Sequence, residues 1–101
     1  MRLVLVLHTG FDSLGANSAM KLARCARDKG HDVTVFAMCA GVMNLAREDF
    51  VSLLSSGVKI TVCEHNLTQY MGPEGIEGVK YGSQYDLSGY VYDADKVVSF
   101  V

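Results

Sequence analysis

Along the first two thirds of the chain, short continuous apolar runs alternate with longer stretches of helical period. Residues 2–7 form an apolar run rich in Val and Leu that is too short for a helix. Such a run predicts a strand buried on both faces, and so a central parallel strand. From about residue 14 to 29 the period becomes helical, with Ala19, Leu22, Ala23 and Ala26 on one side and Lys21, Arg24 and Asp28 opposite. Asp12 or Ser13 is the expected N-cap and Gly30 the glycine that ends the helix. Cys25 is expected at the border of the apolar stripe, half-buried. A second strand is predicted over 32–38, a second helix over roughly 44–55 closed by Gly57, and a third strand over 58–62. This is a βαβαβ unit, and right-handed crossovers make its three strands parallel.

The last third is less regular. Five of the ten glycines fall between Met71 and Gly89 together with the only proline, Pro73, and all five tyrosines lie between Tyr70 and Tyr92. The pattern predicts a short strand within 77–81, a helix over 84–93 with Leu87, Tyr90 and Val91 on one side, and a last strand over 96–101. Ser99 interrupts that last apolar run, as suits a flanking strand. Glycine-rich connections of this length in a small domain are usually functional loops or subunit contacts.

Composition narrows the class. A chain of 101 residues is one domain by size, and half hydrophobic with a fifth charged is a globular composition. The formal charge of −2, with Lys and Arg scattered, gives no footprint for nucleic acid. No apolar run approaches the about 18 residues of a membrane span, and residues 2–7 lack a signal-peptide cleavage site. Three cysteines would leave one over in a disulfide framework, so free thiols in a reducing cytoplasm are expected.

Several familiar sites are absent. There is no G-x-G-x-x-G after strand one, no Walker A and no C-x-x-C. The arginine of a phosphatase-style loop would fall at Gln69 or Leu45, and the acidic pair of a receiver domain is replaced by His8 and Thr9. What remains is a set of groups that parallel strands would bring to one rim. His8 and Thr9 follow strand one, Cys39 and Gly41 strand two, and Cys63, Glu64, His65 and Asn66 strand three. Ligands of open α/β sheets bind at that rim.

Cys63 reads either as a buried strand-end cysteine or as a nucleophile. A helix starting near Glu64 would favour the thiolate through its dipole and free N–H groups. His65 could pair with that thiolate or face solvent, and Glu64 should turn away from it. Cys39 could be a resolving thiol for Cys63 or simply a small residue in a tight turn. A zinc site from His8, Cys39, Cys63 and His65 lacks the spacing of a known zinc module, so no metal is expected.

Across nearly its whole length the chain resembles the DsrE/DsrF-like family of small sulfur-relay proteins, which includes the tRNA-thiolation carriers of the TusD kind. The resemblance is carried by the apolar first strand, Lys29-Gly30-His31-Asp32-Val33, and the turn Phe36-Ala37-Met38-Cys39-Ala40-Gly41-Val42. It continues through Gly57-Val58-Lys59-Ile60-Thr61-Val62-Cys63 and Ala94-Asp95-Lys96-Val97-Val98-Ser99-Phe100. It implies a three-layer α/β/α domain with a mainly parallel sheet of about five strands that assembles into homo- or hetero-oligomers. In active members a cysteine after the third strand carries a persulfide, and Cys63 alone matches it. Active members follow that cysteine with a helix ending in Arg-Gly, whereas this chain has Thr68-Gln69-Tyr70-Met71-Gly72, with the glycine but no arginine.

The expectation is a cytoplasmic sulfurtransferase-like carrier that works through Cys63 without a cofactor. Rim N–H groups and Asn66 would support the anionic sulfur. Its expected partners are copies of itself and sulfur-donating and sulfur-accepting proteins, with neither nucleic acid nor membrane among them. The alternative is a non-catalytic oligomeric binding or scaffold module in which Cys63 is structural.

Overall fold

The computed structural model describes residues 1–10 and 13–101. Strand β1 (Arg2–Leu7) leads through a loop to helix α1 (Leu14–Asp28). Ser13 is the N-cap, its hydroxyl accepting from the Ala16 N–H at 3.0 Å, while Asp12, the other cap candidate, lies outside the described residues. Gly30 ends the helix with φ +88°, its N–H bonding to the Arg27 carbonyl at 2.9 Å. The buried stripe is Ala16, Ala19, Met20, Ala23 and Ala26. Leu22 is exposed, because it stands about a quarter turn from the centre of that stripe. Cys25 lies on the side away from the stripe and is exposed, against the expectation of half-burial.

Strand β2 (Asp32–Ala37) is followed by a broken helical segment where the sequence predicts one helix. A 3₁₀ stretch Cys39–Ala46, helix α2 (Glu48–Val51) and a second 3₁₀ stretch Ser52–Ser56 replace it, with Arg47 extended between the first two. Polar side chains account for the tight turns by competing for backbone carbonyls. Asn44 donates to the Gly41 carbonyl at 2.8 Å, Ser52 to that of Asp49 at 2.7 Å, and Ser55 to that of Ser52 at 2.7 Å. Of the apolar positions at helical spacing here, Phe50 and Leu53 are fully buried and Leu54 half-buried, whereas Ala46 is exposed. Strand β3 (Lys59–Cys63) runs directly into helix α3 (Glu64–Gln69).

The final third holds strand β4 (Val79–Gly82), helix α4 (Gln84–Asp93) and strand β5 (Lys96–Phe100), close to the predicted elements. The loop before β4 is tied down by Tyr81, whose hydroxyl accepts from the Ile76 N–H at 3.0 Å. All strands join one parallel sheet in the order β4-β3-β2-β1-β5. The first three connections step one way across the sheet, and β4–α4–β5 returns over its whole width. Right-handed crossovers therefore place α1 to α3 on one face and α4 on the other. The fold is three-layer α/β/α.

The two faces are unequally filled. Leu5, Leu7, Val33, Val35, Ala37, Ile60 and Val62 pack with the α1 stripe, Val42, Phe50, Leu53 and Leu67 into the main core. Alternate residues of the same strands, Val4, Val6, Phe36, Thr61 and Cys63, are buried on the α4 side. Yet no residue of α4 is itself buried. Thr61 Oγ1 meets the Tyr90 hydroxyl at 3.0 Å, one of the few polar ties between sheet and α4.

Candidate functional site

Cys63 ends β3 on the α4 side of the sheet and is the N-cap residue of α3. Strand alternation puts its side chain opposite the main core, and 4% of the residue reaches solvent. It lies in the wall of a cleft of about 750 Å³ at the C-terminal rim. Met38 and Cys39 line the cleft from the end of β2, and Glu64, His65, Asn66 and Thr68 from α3. Gly82, Ser83, Gln84 and Tyr85 line it from β4 and α4. Glu64 and His65 are both exposed.

Cys39 is half-exposed and holds φ +54°, a left-handed conformation that non-glycine residues rarely take. It is clamped there from α3, since Asn66 Oδ1 accepts the Cys39 N–H at 2.9 Å. The Asn66 amide nitrogen donates to Gln69 Oε1 at 2.8 Å. The Asn66 oxygen thus holds the β2 turn, while its amide nitrogen bonds within α3.

The rim splits into two groups. Cys39, Cys63, His65 and Asn66 come together in the cleft, whereas His8, Thr9 and Gly41 gather one strand further along, at the end of β1. There the His8 N–H bonds to the Phe100 carbonyl at 2.9 Å, and Asn44 donates to the Thr9 carbonyl at 3.0 Å. Gly41 packs so tightly on the Leu7 carbonyl that any side chain there would collide with it. Its role is close backbone approach. Asn44 is fully buried and staples the β1 loop to the turn after β2, with its Oδ1 lacking a partner among the described residues.

Sequence reasoning missed Asn44 and the contribution of α4. The signal for α4 was present. Ser83 and Asp86 have capping-box spacing, and Asp86 Oδ2 accepts the Ser83 N–H at 2.8 Å. The N-terminal turn of a helix leaving a parallel strand has to stand at the C-terminal rim. Its first N–H groups have no acceptor within the helix. That bond and the Lys80 ammonium at 3.3 Å hold the Asp86 carboxyl below the usual carboxylate range, and the same carboxylate raises the Lys80 ammonium. Among the described residues no three His, Cys, Asp or Glu side chains converge as a metal site.

The sequence profile of the DsrE/DsrF-like family matches residues 1–100. The chain belongs to the DsrE/DsrF-like family. Its fold is similar to that of the YchN protein from E. coli, with a TM-score of 0.86 and 21% identity over 98% of each chain. It is also similar to BT1422, a conserved protein of unknown function from Bacteroides thetaiotaomicron. That match has a TM-score of 0.80 and 18% identity over 97% of this chain and 93% of the other. At these identities the likeness is one of fold. No curated protein matches the chain. Family membership ties the fold to sulfur relay at the level of the family and draws attention to the thiol at the end of β3.

Proposed function

We propose that this DsrE/DsrF-like protein is a sulfur carrier that holds sulfane sulfur as a persulfide on Cys63 and passes it to a partner's cysteine. The observation that carries the reading is the placement of Cys63, in the wall of a rim cleft at the C-terminal end of β3. Persulfide transfer is a thiol exchange and needs only a thiolate, a donor persulfide and room for the approaching sulfur. The first turn of α4 lines the cleft, and its Gln84 and Tyr85 N–H groups have no acceptor within the helix, which suits an anionic sulfur. All three cysteines are free thiols, which suits a reducing cytoplasm. Among the described residues no helix is long and apolar enough to cross a membrane.

The test is intact mass after incubation with a low-molecular-weight persulfide. The native protein should gain the mass of one sulfur atom, mapped to Cys63, and the Cys63→Ser variant should not gain it there. Failure of the native chain to load sulfur at Cys63 overturns the reading. A second reading, a binding or scaffold module with a structural Cys63, is favoured by the near-complete burial of that residue. It predicts a Cys63 inert to persulfide and alkylating reagents alike.

Self-association belongs to the same proposal, with a second copy of the chain as occupant of the α4 face. Tyr85 and Tyr92 are 86% and 89% exposed and stand seven residues apart, hence on one side of the helix, with Ser88 and Gly89 between them. Two such rings can bury about 300–500 Å², around half of the roughly 800 Å² that each partner gives to a standard interface. Rings flanking a dip of small residues are self-complementary, so a second α4 can seat its tyrosine in that dip. Tyr85 also lines the thiol cleft, so the second copy would add to the cleft wall.

A further inference from the structure

We propose that Cys39 is the resolving thiol of Cys63, an inference that rests on the persulfide reading. Cys39 ends a Cys63 persulfide by forming an internal disulfide and expelling the carried sulfur as hydrosulfide. The two thiols line one cleft, Cys63 nearly buried and Cys39 half-exposed, while Cys25 lies exposed on α1 and does not line it. Their backbones are neighbours. Strands β2 and β3 pair in parallel with Ala37 opposite Val62, so Met38 falls beside Cys63 and Cys39 is one residue further along. A strand spacing of about 4.8 Å and a rise of about 3.3 Å put the two Cα atoms roughly 6 Å apart. Disulfides join Cα atoms about 4.4–6.8 Å apart.

The Cys39 backbone is also held toward α3. Asn66, three residues after Cys63, accepts the Cys39 N–H at 2.9 Å and is itself bonded to Gln69. One side chain thereby fixes the β2 turn against the element that begins at Cys63. An arrangement of this kind keeps the second thiol in place without contact between the sulfurs in the resting state.

The step balances. The Cys39 thiolate attacks the inner sulfur of Cys63–S–SH, and a Cys39–Cys63 S–S bond forms. The bond from Cys63 Sγ to the terminal sulfur breaks, and its electron pair leaves as hydrosulfide. The proton lost by Cys39 ends on that hydrosulfide or in solvent. The two cysteine sulfurs finish as a disulfide, the sulfane sulfur is reduced to sulfide, and an external dithiol returns the protein to its reduced form. The chemistry sets the outcome for a loaded carrier that meets no acceptor: its sulfur is released as sulfide.

The test uses the Cys25→Ser protein, which removes the exposed thiol. It is loaded anaerobically with glutathione persulfide, desalted, and followed by intact mass, peptide mapping and sulfide release. The expected course is a gain of one sulfur atom, then a loss of two hydrogens relative to the starting thiol form, with one equivalent of sulfide and a mapped Cys39–Cys63 bridge. Adding Cys39→Ser should freeze the species that carries the extra sulfur and suppress sulfide release. Cys39→Gly, which suits the left-handed backbone, should do the same and controls for folding. Equal persistence of the extra sulfur with and without Cys39 overturns the proposal, as does a mixed disulfide with glutathione in place of the bridge. If no form of the protein, with or without Cys39, gains sulfur on Cys63, the persulfide reading itself falls and takes this proposal with it. Loading lost only in the Cys39 variants overturns the resolving role and leaves that reading standing.

Discussion

The two faces of the sheet are built from alternate residues of the same strands and yet do different work. On one face α1, the broken second segment and α3 cover the sheet with a continuous apolar core. On the other, among the described residues, one ten-residue helix with no buried residue covers five strands. Cys63 belongs to the thinly covered face, beside the first turn of α4. Stability is concentrated where packing is dense, while accessible chemistry and partner surface lie where the cover is incomplete.

Truncation on the dense face should show the largest effect. Phe50→Ala removes a fully buried ring from the main core and should destabilise the fold by about 3–5 kcal/mol in chemical denaturation. Tyr92→Ala on the thin face should change the stability of an isolated subunit by no more than about 0.5 kcal/mol. Similar losses at the two positions would break the comparison.

The next effect concerns assembly. The native chain should sediment as an oligomer at micromolar concentration, and replacing both Tyr85 and Tyr92 by Ser should shift it toward the monomer with its circular dichroism unchanged. A native chain that sediments strictly as a monomer refutes a second copy on α4. Assembly that survives both substitutions moves the interface elsewhere.

The smallest effect is a pH dependence confined to α4. Because the Asp86 carboxyl is held below its ordinary value in the folded state, its contribution is present above the ordinary range. It is lost as pH falls below about 4 and through the depressed folded value. Hydrogen exchange should show the first turn of α4 losing protection in that window ahead of α1. An Asp86→Asn variant should lack the response. Simultaneous loss in both helices would mean that α4 is not independently anchored.

How much was legible in advance depended on the range of the interaction involved. Helix α1, the predicted 84–93 helix and the βαβαβ order follow from local periodicity, and all three are present. The break in the second helix was missed although the bonds behind it are local: Asn44, Ser52 and Ser55 donate to carbonyls three residues back, a competition that apolar periodicity does not register. Leu22 shows the limit of reading a stripe's border, where about a quarter turn is enough to leave an apolar side chain exposed. In the site, Cys39, Cys63, His65 and Asn66 came together as their positions after neighbouring strands suggested. His8, Thr9 and Gly41 share the rim but stand beside β1, next to Asn44.

By itself the sequence determined the identity and order of most elements and the delivery of a thiol to the end of β3, because side-chain period and turn chemistry act over a few residues. Only the tertiary structure decided the order β4-β3-β2-β1-β5, the lone position of α4 on its face, and the meeting of Ser83, Gln84 and Tyr85 with Cys39 and Cys63. Those depend on which strands pair, a long-range choice settled by burial of the whole sheet and the handedness of its crossovers.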